Sequence, residues 1–241
     1  MKTETKNTAE TEPLTEDSLS EYVYQQVKHK IIFFHYEPGQ FLTETMLASE
    51  YQVSKMPVKL AMRKLKKEGW LDANFRQKTR VKDITEKDVR CIYDFRSLIE
   101  YHALDLVFQK QLATAYADRL AKNLIQVRAK CNDPQCFLLA ERTMHVALIS
   151  VCENERISNV YANLQDEIIR ISYLANMSQS VIGDTSYTDI PFKSWQSLIE
   201  YLRAKEYLLA KQELMDHLQL GQKKALQALE KWQQMRLGSK A

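Results

Sequence analysis

Apolar and basic residues take opposite faces of a helix that the sequence predicts at residues 55–68. Val58, Met62 and Leu65 are three or four positions apart, which is the spacing of one helical face. The opposite face is basic and carries Lys55, Lys59, Arg63 and Lys66. Gly69 follows, where a left-handed residue commonly ends a helix. The pattern therefore predicts one face for a hydrophobic core and another for solvent or an anionic partner.

A shorter predicted helix precedes this one. Thr43 can cap it, and its Leu47 and Ala48 are expected to point inward. Ser54 is placed to cap the longer helix, and residues 51–53 form the turn between the two. Two helices joined by a tight turn, the second with a basic face, predict a helix-turn-helix whose second helix would read a DNA groove.

Two short extended runs follow, at residues 70–73 and 79–82, around a polar tip at residues 74–78. They predict a two-stranded wing. Between Val53 and Lys82 ten residues are basic and two are acidic, whereas the whole chain carries only +3. Such a basic island suits phosphate neutralisation, since a merely solvated helical hairpin usually mixes both signs along its face.

Residues 85–235 are predicted to form an all-helical domain. Glycine and proline are scarce after residue 84, and Thr85 with Asp88 is typical of a capping box that begins a helix. Further amphipathic stretches lie at about 113–130, 134–151, 155–178, 190–204 and 207–235. We therefore expect a mainly α protein, with a winged helix-turn-helix at residues 16–84 followed by an antiparallel bundle of six or seven helices.

The composition is that of an ordinary globular protein, with 45% hydrophobic residues and no apolar run of about 18 residues. Residues 1–15 are polar and contain no hydrophobic signal segment, so we expect a disordered tail and a cytoplasmic protein with no membrane partner. Four cysteines without a CxxC pair favour buried thiols over disulfides or a zinc ribbon. They are Cys91, Cys131, Cys136 and Cys152.

The segment PGQFLTETMLASEYQVSKMPVKLAMRKLKKEGWL, followed by Arg80 and Val81, resembles the winged helix-turn-helix of the GntR family of bacterial transcription regulators. The resemblance implies DNA contacts at the start of the reader helix and at the wing tip. The matching residues are Thr45, Ser54, Lys55, Met56, Lys59 and Lys78, and the basic face adds Arg63. The family usually has Arg at the positions of Lys55 and Lys59 and Gly at the wing tip. Because Arg reads guanine bidentately and Lys acts more as a point charge, we expect altered or relaxed sequence preference.

Three potential metal ligands lie in the predicted bundle. Glu141 and His145 are one helical turn apart, and His217 is on the final long helix. A carboxylate and two imidazoles can hold a divalent cation, but this spacing is equally typical of a polar contact without a metal.

The segments FRSLIE, ERTMHVAL, NERI and LAKQELMDHL resemble the FCD-type C-terminal effector domain of the FadR subgroup of the same family. The resemblance implies a divalent metal such as Zn, held by an Asp-x-x-x-His pair and two later histidines, and a small organic-acid effector. Glu141 replaces the Asp, His145 and His217 match histidines, and Trp195 stands where the remaining histidine is expected. Because an indole cannot coordinate a metal, either a three-ligand site persists or the metal has been lost and the cavity binds an organic ligand directly. Trp195 is then expected to fill part of the effector pocket.

Arg96 matches the Arg of the R-x-x-[LI]-E segment of that domain. Two roles remain open for it: an anchor for an effector carboxylate, or an ion pair with Glu100 one helical turn away.

Together these features predict a ligand-responsive transcription regulator and not an enzyme. We expect a homodimer that binds a roughly palindromic double-stranded operator, acts as a repressor, and responds to a small-molecule effector. One alternative is an interaction module with a degenerate DNA reader. Another is a metal-dependent enzyme with Glu141 as general base, although no nucleophile motif or Gly-rich phosphate loop accompanies that residue.

Overall fold

The computed structural model describes residues 16–73, 79–130, 134–180 and 186–238. These residues confirm the predicted fold class, because they form a mainly helical chain. The chain divides into two compact units between Asp83 and Ile84. The expected tail at residues 1–15 and the expected wing tip at residues 74–78 lie outside the described residues.

The first unit combines helices with a small antiparallel sheet. Its elements are α1 (Glu16–Ile32), β1 (Phe41–Leu42), α2 (Glu44–Tyr51), α3 (Lys55–Lys67), β2 (Leu71–Ala73) and β3 (Thr79–Val81). The strand order is β1-β3-β2, so the expected two-stranded wing gains a third strand. A strand of two residues is too short to produce a detectable alternation of polar and apolar positions.

Helix α3 buries the face that its sequence predicts. Val58 and Leu65 are fully buried, and the helix packs against α1, whose Val27 and Ile31 are also fully buried. The helix ends at Lys67, one residue earlier than expected. Gly69 then takes a φ of 80°, a left-handed conformation that few residues other than glycine adopt readily.

The two predicted caps of the helix-turn-helix differ. The Thr43 side chain accepts a hydrogen bond from the backbone N–H of Met46 and so caps α2. Ser54 occupies the cap position of α3, but its side chain makes no capping hydrogen bond. Its hydroxyl group is therefore not used to hold the helix end.

The second unit is a helical bundle. Its elements are α4 (Glu86–Gln109), α5 (Ala113–Lys130), α6 (Pro134–Ile149), a 3₁₀ turn (Ser150–Cys152), α7 (Glu155–Ser180), α8 (Ser186–Ala204) and α9 (Tyr207–Gly238). Helix α9 packs along α4, α7 and α8, while α5 packs on α6 and α8. The predicted capping box is formed, since Asp88 N–H donates to the Thr85 hydroxyl and Thr85 N–H donates to the Asp88 carboxylate.

No helix in the described ranges combines the length and the apolar run that crossing a bilayer requires. Cys91 and Cys136 are exposed and Cys152 is half-buried, and none of the three is in a disulfide. The expectation of buried thiols is therefore wrong for Cys91 and Cys136, because scattered spacing excludes metal and disulfide motifs without reporting burial.

Gly221 of α9 lies against the ring of Tyr93, which is buried. A Cβ at position 221 would come within 2.7 Å of the Tyr93 hydroxyl oxygen, so any larger residue overpacks the contact between α4 and α9. We predict that Gly221→Ala lowers the free energy of unfolding by about 1–3 kcal/mol. Native-state hydrogen exchange of α9 peptides measures this loss.

Gly238 is the matched control on the same helix, because a Cβ there meets no atom within 4 Å. Gly238→Ala should leave stability unchanged or raise it slightly, since alanine has the higher helix propensity. Tyr93→Phe added to Gly221→Ala should recover part of the loss, and equal effects of the two glycine substitutions would contradict the overpacking.

Candidate functional site

The outer face of α3 presents cations that no other described residue neutralises. Lys55, Lys59 and Arg63 are exposed, and within the described part of the chain none of them has a hydrogen-bond or ion-pair partner. Met56, next to Lys55, is 51% exposed although it is apolar. Since the opposite face of α3 is buried, this basic face is fixed in orientation and free to meet an anion.

The remaining sequence-predicted DNA contacts lie nearby on the same unit. Thr45 is exposed in the first turn of α2, and Ser54 is exposed at the start of α3. The N-terminal end of α3 also carries the positive end of its helix dipole, which favours phosphate oxygens. Lys78 lies outside the described residues.

Lys64 belongs to the basic island in sequence but is paired with residues of α1 and so is separate from the unpartnered face. Its ammonium group lies 2.8 Å from the Glu21 carboxylate and 3.7 Å from the centre of the Tyr24 ring, both on α1. The Tyr24 hydroxyl donates to Glu68 over 2.7 Å, and burial together with this carboxylate raises the pKa of Tyr24 to about 12. Lys64, Tyr24 and Glu68 therefore hold the reader helix on α1.

A second polar cluster holds α2. Glu50 accepts a hydrogen bond from the Tyr36 hydroxyl over 2.7 Å and forms an ion pair with Lys30. Burial raises the pKa of Tyr36, and its hydrogen bonds to Tyr51 and Glu50 raise it further. Both helices of the helix-turn-helix are thus tied to the preceding segment by polar contacts as well as by the core.

A cavity of about 80 Å³ opens inside the second unit, between α4, α6, α7, α8 and α9. Since one water molecule needs roughly 10–15 Å³ of such space, the cavity has room for several waters or a small organic molecule. Its polar lining includes Tyr93, Arg96, Glu141, His145, Gln165 and His217.

A buried carboxylate, Glu100, organises one wall of this cavity. It accepts from Arg96 Nε over 3.0 Å and from the Tyr161 hydroxyl over 3.2 Å, and its other oxygen lies 2.7 Å from His145 Nδ1. Burial alone would raise the pKa of Glu100, but His145 and Arg96 lower it to about 2. An ionised carboxylate can only accept, so the proton is on Nδ1 of His145. The ion pair of Arg96 with Glu100, one of its two proposed roles, is formed.

The structure also brings the predicted metal ligands together. Glu141, His145 and His217 each offer one ligand atom, and these atoms all lie within 4.8 Å of one another. Burial and the neighbouring basic groups lower the pKa of His217 to about 3, so its imidazole is neutral near pH 7. Burial raises the pKa of Glu141, and the basic groups beside it only partly counteract this effect.

The surroundings of this cluster do not fit a divalent ion well. Arg96 Nη2 lies 3.0 Å from Nε2 of His145, the ring nitrogen that would have to bind the metal because Nδ1 carries a proton. A permanent cation in contact with a metal ligand repels a second cation in a buried site. A carboxyl group with a raised pKa is also a weaker ligand, since it must lose its proton first.

Trp195 is placed differently from the expectation that it fills part of the pocket. It is 2% exposed, and its ring centre lies 4.8 Å from that of His145 and 5.3 Å from that of His217. It is absent from the described residues that line the cavity. In the described part of the chain its indole N–H has no acceptor in hydrogen-bond geometry, although its proximity slightly counteracts the rise in the pKa of Glu141. Trp195 therefore packs against the two imidazoles without lining the cavity itself.

Sequence reasoning missed the contribution of α7 to the cavity. Tyr161, Gln165 and Ser172 line it, and all three occur at helical spacing within a mostly apolar face. Gln165 is 7% exposed, and its Oε1 atom has no hydrogen-bond partner among the described residues. A polar stripe inside the buried face of a helix was the available signal, because buried polar groups need partners.

Known families match both units. The model of bacterial regulatory proteins of the gntR family matches residues 19–81, and the FCD domain model matches residues 91–220. The chain belongs to the GntR family. Its helix-turn-helix and FCD domain identify a ligand-responsive DNA-binding regulator, a class of proteins defined by binding and not by catalysis.

The relatives of this GntR-family chain are transcription regulators. The HTH-type transcriptional regulator YdhC of Bacillus subtilis is 27% identical over 197 residues, covering 80% of this chain and 85% of the relative. The gluconate operon transcriptional repressor of B. subtilis is 26% identical over 154 residues, 63% of each chain. The solved structure of E. coli McbR/YncC has the same fold, with a TM-score of 0.63 at 19% identity over 87% of this chain and 98% of that one.

The Arg96–Glu100 pair has a matched counterpart on the same helix. Arg90 and Glu86 also pair one turn apart, at 2.7 Å, but their side chains are 54% and 65% exposed, against 5% and 0% for Arg96 and Glu100. We predict that Arg96→Ala costs about 3–5 kcal/mol because it leaves a buried charge unpaired. Arg90→Ala should cost about 0.5 kcal/mol or less.

Hydrogen exchange of α4 peptides separates the two variants. Similar protection of α4 in both would mean that Glu100 finds another partner or takes up a proton.

Proposed function

We propose that this regulator binds a palindromic DNA operator as a homodimer in the cytoplasm and represses the genes beside that operator. The regulator releases the DNA when a small organic acid enters the cavity of the second unit. The observation that carries the DNA-binding part is the exposed, unpartnered face of Lys55, Lys59 and Arg63 on α3. Repression is proposed because a relative of this chain is a named operon repressor.

The proposed DNA contacts divide into two groups. Lys55, Met56 and Lys59 stand at the start of α3, where a reader helix approaches base edges. Arg63, one turn further along, and Thr45, Ser54 and Lys78 are proposed to contact the phosphate backbone. These seven residues form the proposed interface. Because Lys replaces Arg at two base-reading positions, the complex relies on phosphate contacts for much of its affinity.

Dimeric binding is proposed from the size of the reader. A single α3 offers base contacts to only a few base pairs, whereas two copies related by a twofold axis read two half-sites about one helical turn of DNA apart. The operator would then be an inverted repeat.

The charge of the cavity favours an anionic ligand. Arg96, Arg142 and Lys224 line it, and the acidic side chain among the lining residues, Glu141, has a raised pKa. No donor within the described ranges reaches the buried Oε1 of Gln165, so a ligand hydroxyl group would satisfy it. These features support a small hydroxylated carboxylate, with Arg96 supplying positive charge and Trp195 holding the imidazoles of the wall.

The effector acts by a population shift. It can change DNA affinity only by as much as its own affinity differs between the DNA-binding arrangement and the alternative one. Helix α4, which carries Arg96, begins at Glu86, shortly after the boundary at Asp83. The ligand-binding wall therefore has a short covalent connection to the DNA-binding unit.

The double substitution Lys59→Ala and Arg63→Ala tests the reader face. We expect it to weaken DNA binding, and to reduce the slope of log affinity against log salt by roughly 1 through the lost phosphate contact of Arg63. The lost base contact of Lys59 lowers the affinity further. Fluorescence anisotropy over a salt series measures both quantities. The control is Lys122→Ala with Lys231→Ala, which removes the same charge from exposed positions of the second unit. An unchanged slope in the reader variant would remove this face from the DNA interface and favour an interaction module.

Gln165→Leu tests the cavity. Thermal-shift screening of small carboxylates first identifies a ligand, because a ligand that binds the folded state raises the melting temperature. We expect Gln165→Leu to weaken a hydroxylated acid about tenfold, the effect of one hydrogen bond to a buried acceptor. The matched acid without the hydroxyl group should bind both proteins equally, and equal loss for both acids would show that Gln165 only shapes the cavity.

A further inference from the structure

Glu141, His145 and His217 form a compact cluster of metal-ligating groups that the proposed function does not require to hold a metal. Their ligand atoms lie within 4.8 Å of one another, and His217 Nε2 is 3.7 Å from Glu141 Oε1. The cluster alone resembles an incomplete tetrahedral site. Whether it holds an ion depends on the charge placed beside it.

That charge belongs to Arg96. Its Nη2 lies 3.0 Å from Nε2 and 3.2 Å from Nδ1 of His145, so the guanidinium group lies across the imidazole and contacts both nitrogens. Zn²⁺ binds an imidazole nitrogen at about 2.1 Å, so an ion on Nε2 would lie within about 5 Å of Nη2. Arg96 is 4% exposed, which leaves little solvent to screen the repulsion between the two cations.

We propose that the guanidinium group of Arg96 takes the place of a divalent ion at the Glu141, His145 and His217 cluster, so that the second unit folds and functions without a metal. The same group neutralises Glu100, over 3.0 Å, and contacts His145. A cation therefore already lies beside the imidazole that a metal ion would have to bind. Trp195, packed against both imidazoles, fills the space beside them with a side chain that cannot coordinate.

Metal content of the protein with Arg96 and the whole cluster intact tests the proposal directly. The protein is purified without an affinity tag or chelator, with Cys91→Ser and Cys136→Ser present, because these exposed thiols also bind Zn²⁺. We expect less than about 0.1 metal per chain by elemental analysis, and no change in melting temperature with EDTA or with Zn²⁺. One metal per chain overturns the proposal. So does a melting temperature that EDTA lowers in the parent protein but not in His217→Ala.

A gain of metal binding after replacement of Arg96 identifies this residue as the group that excludes the ion. Arg96→Met combined with Glu100→Gln removes both buried charges together, which avoids leaving one of them unpaired. We expect this variant to bind Co²⁺ at least about tenfold more tightly than the parent, with the visible absorption of a tetrahedral site, and His217→Ala to abolish the gain. Failure of the folded variant to gain Co²⁺ overturns the role of Arg96. If the variant does not fold, the metal content of the parent decides the proposal.

Discussion

A single ionised carboxylate, that of Glu100, sets the packing of the second unit. It is fully buried and stays charged because Arg96, His145 and Tyr161 surround it, and these residues come from α4, α6 and α7. A buried charge is tolerated only with such complete pairing, since removing one partner costs several kcal/mol. The three helices are therefore fixed relative to one another at one point, and the cavity wall is built from the same groups.

The DNA-binding unit uses polar contacts in a comparable way but at its surface. Lys64 of α3 and Glu68 directly after it are tied to α1, while Lys55 and Lys59 have no partner in the described chain. The basic island of the sequence therefore serves two purposes. One set of charges orients the reader helix, and the other set remains available for phosphates.

Periodicity predicted the helices well because each has a broad apolar face that must be buried, as Val58 and Leu65 of α3 illustrate. It could not predict the site to the same depth. Tyr161 and Gln165 reach the cavity only through the packing of α7, and the position of Trp195 depends on where two imidazoles lie. Such contacts join residues far apart in sequence, so local patterns do not encode them.

A built-in guanidinium group and a bound metal ion differ in how they respond to the cell. The charge of Arg96 is permanent at any physiological pH and cannot be removed by chelation, whereas metal binding depends on supply and on deprotonated ligands. In the proposed metal-free regulator, the response then depends on the organic ligand alone. The neutral imidazole of His217 and the carboxyl group of Glu141 are left to hydrogen-bond that proposed ligand, beside the cationic Arg142 and Lys224 of the same lining.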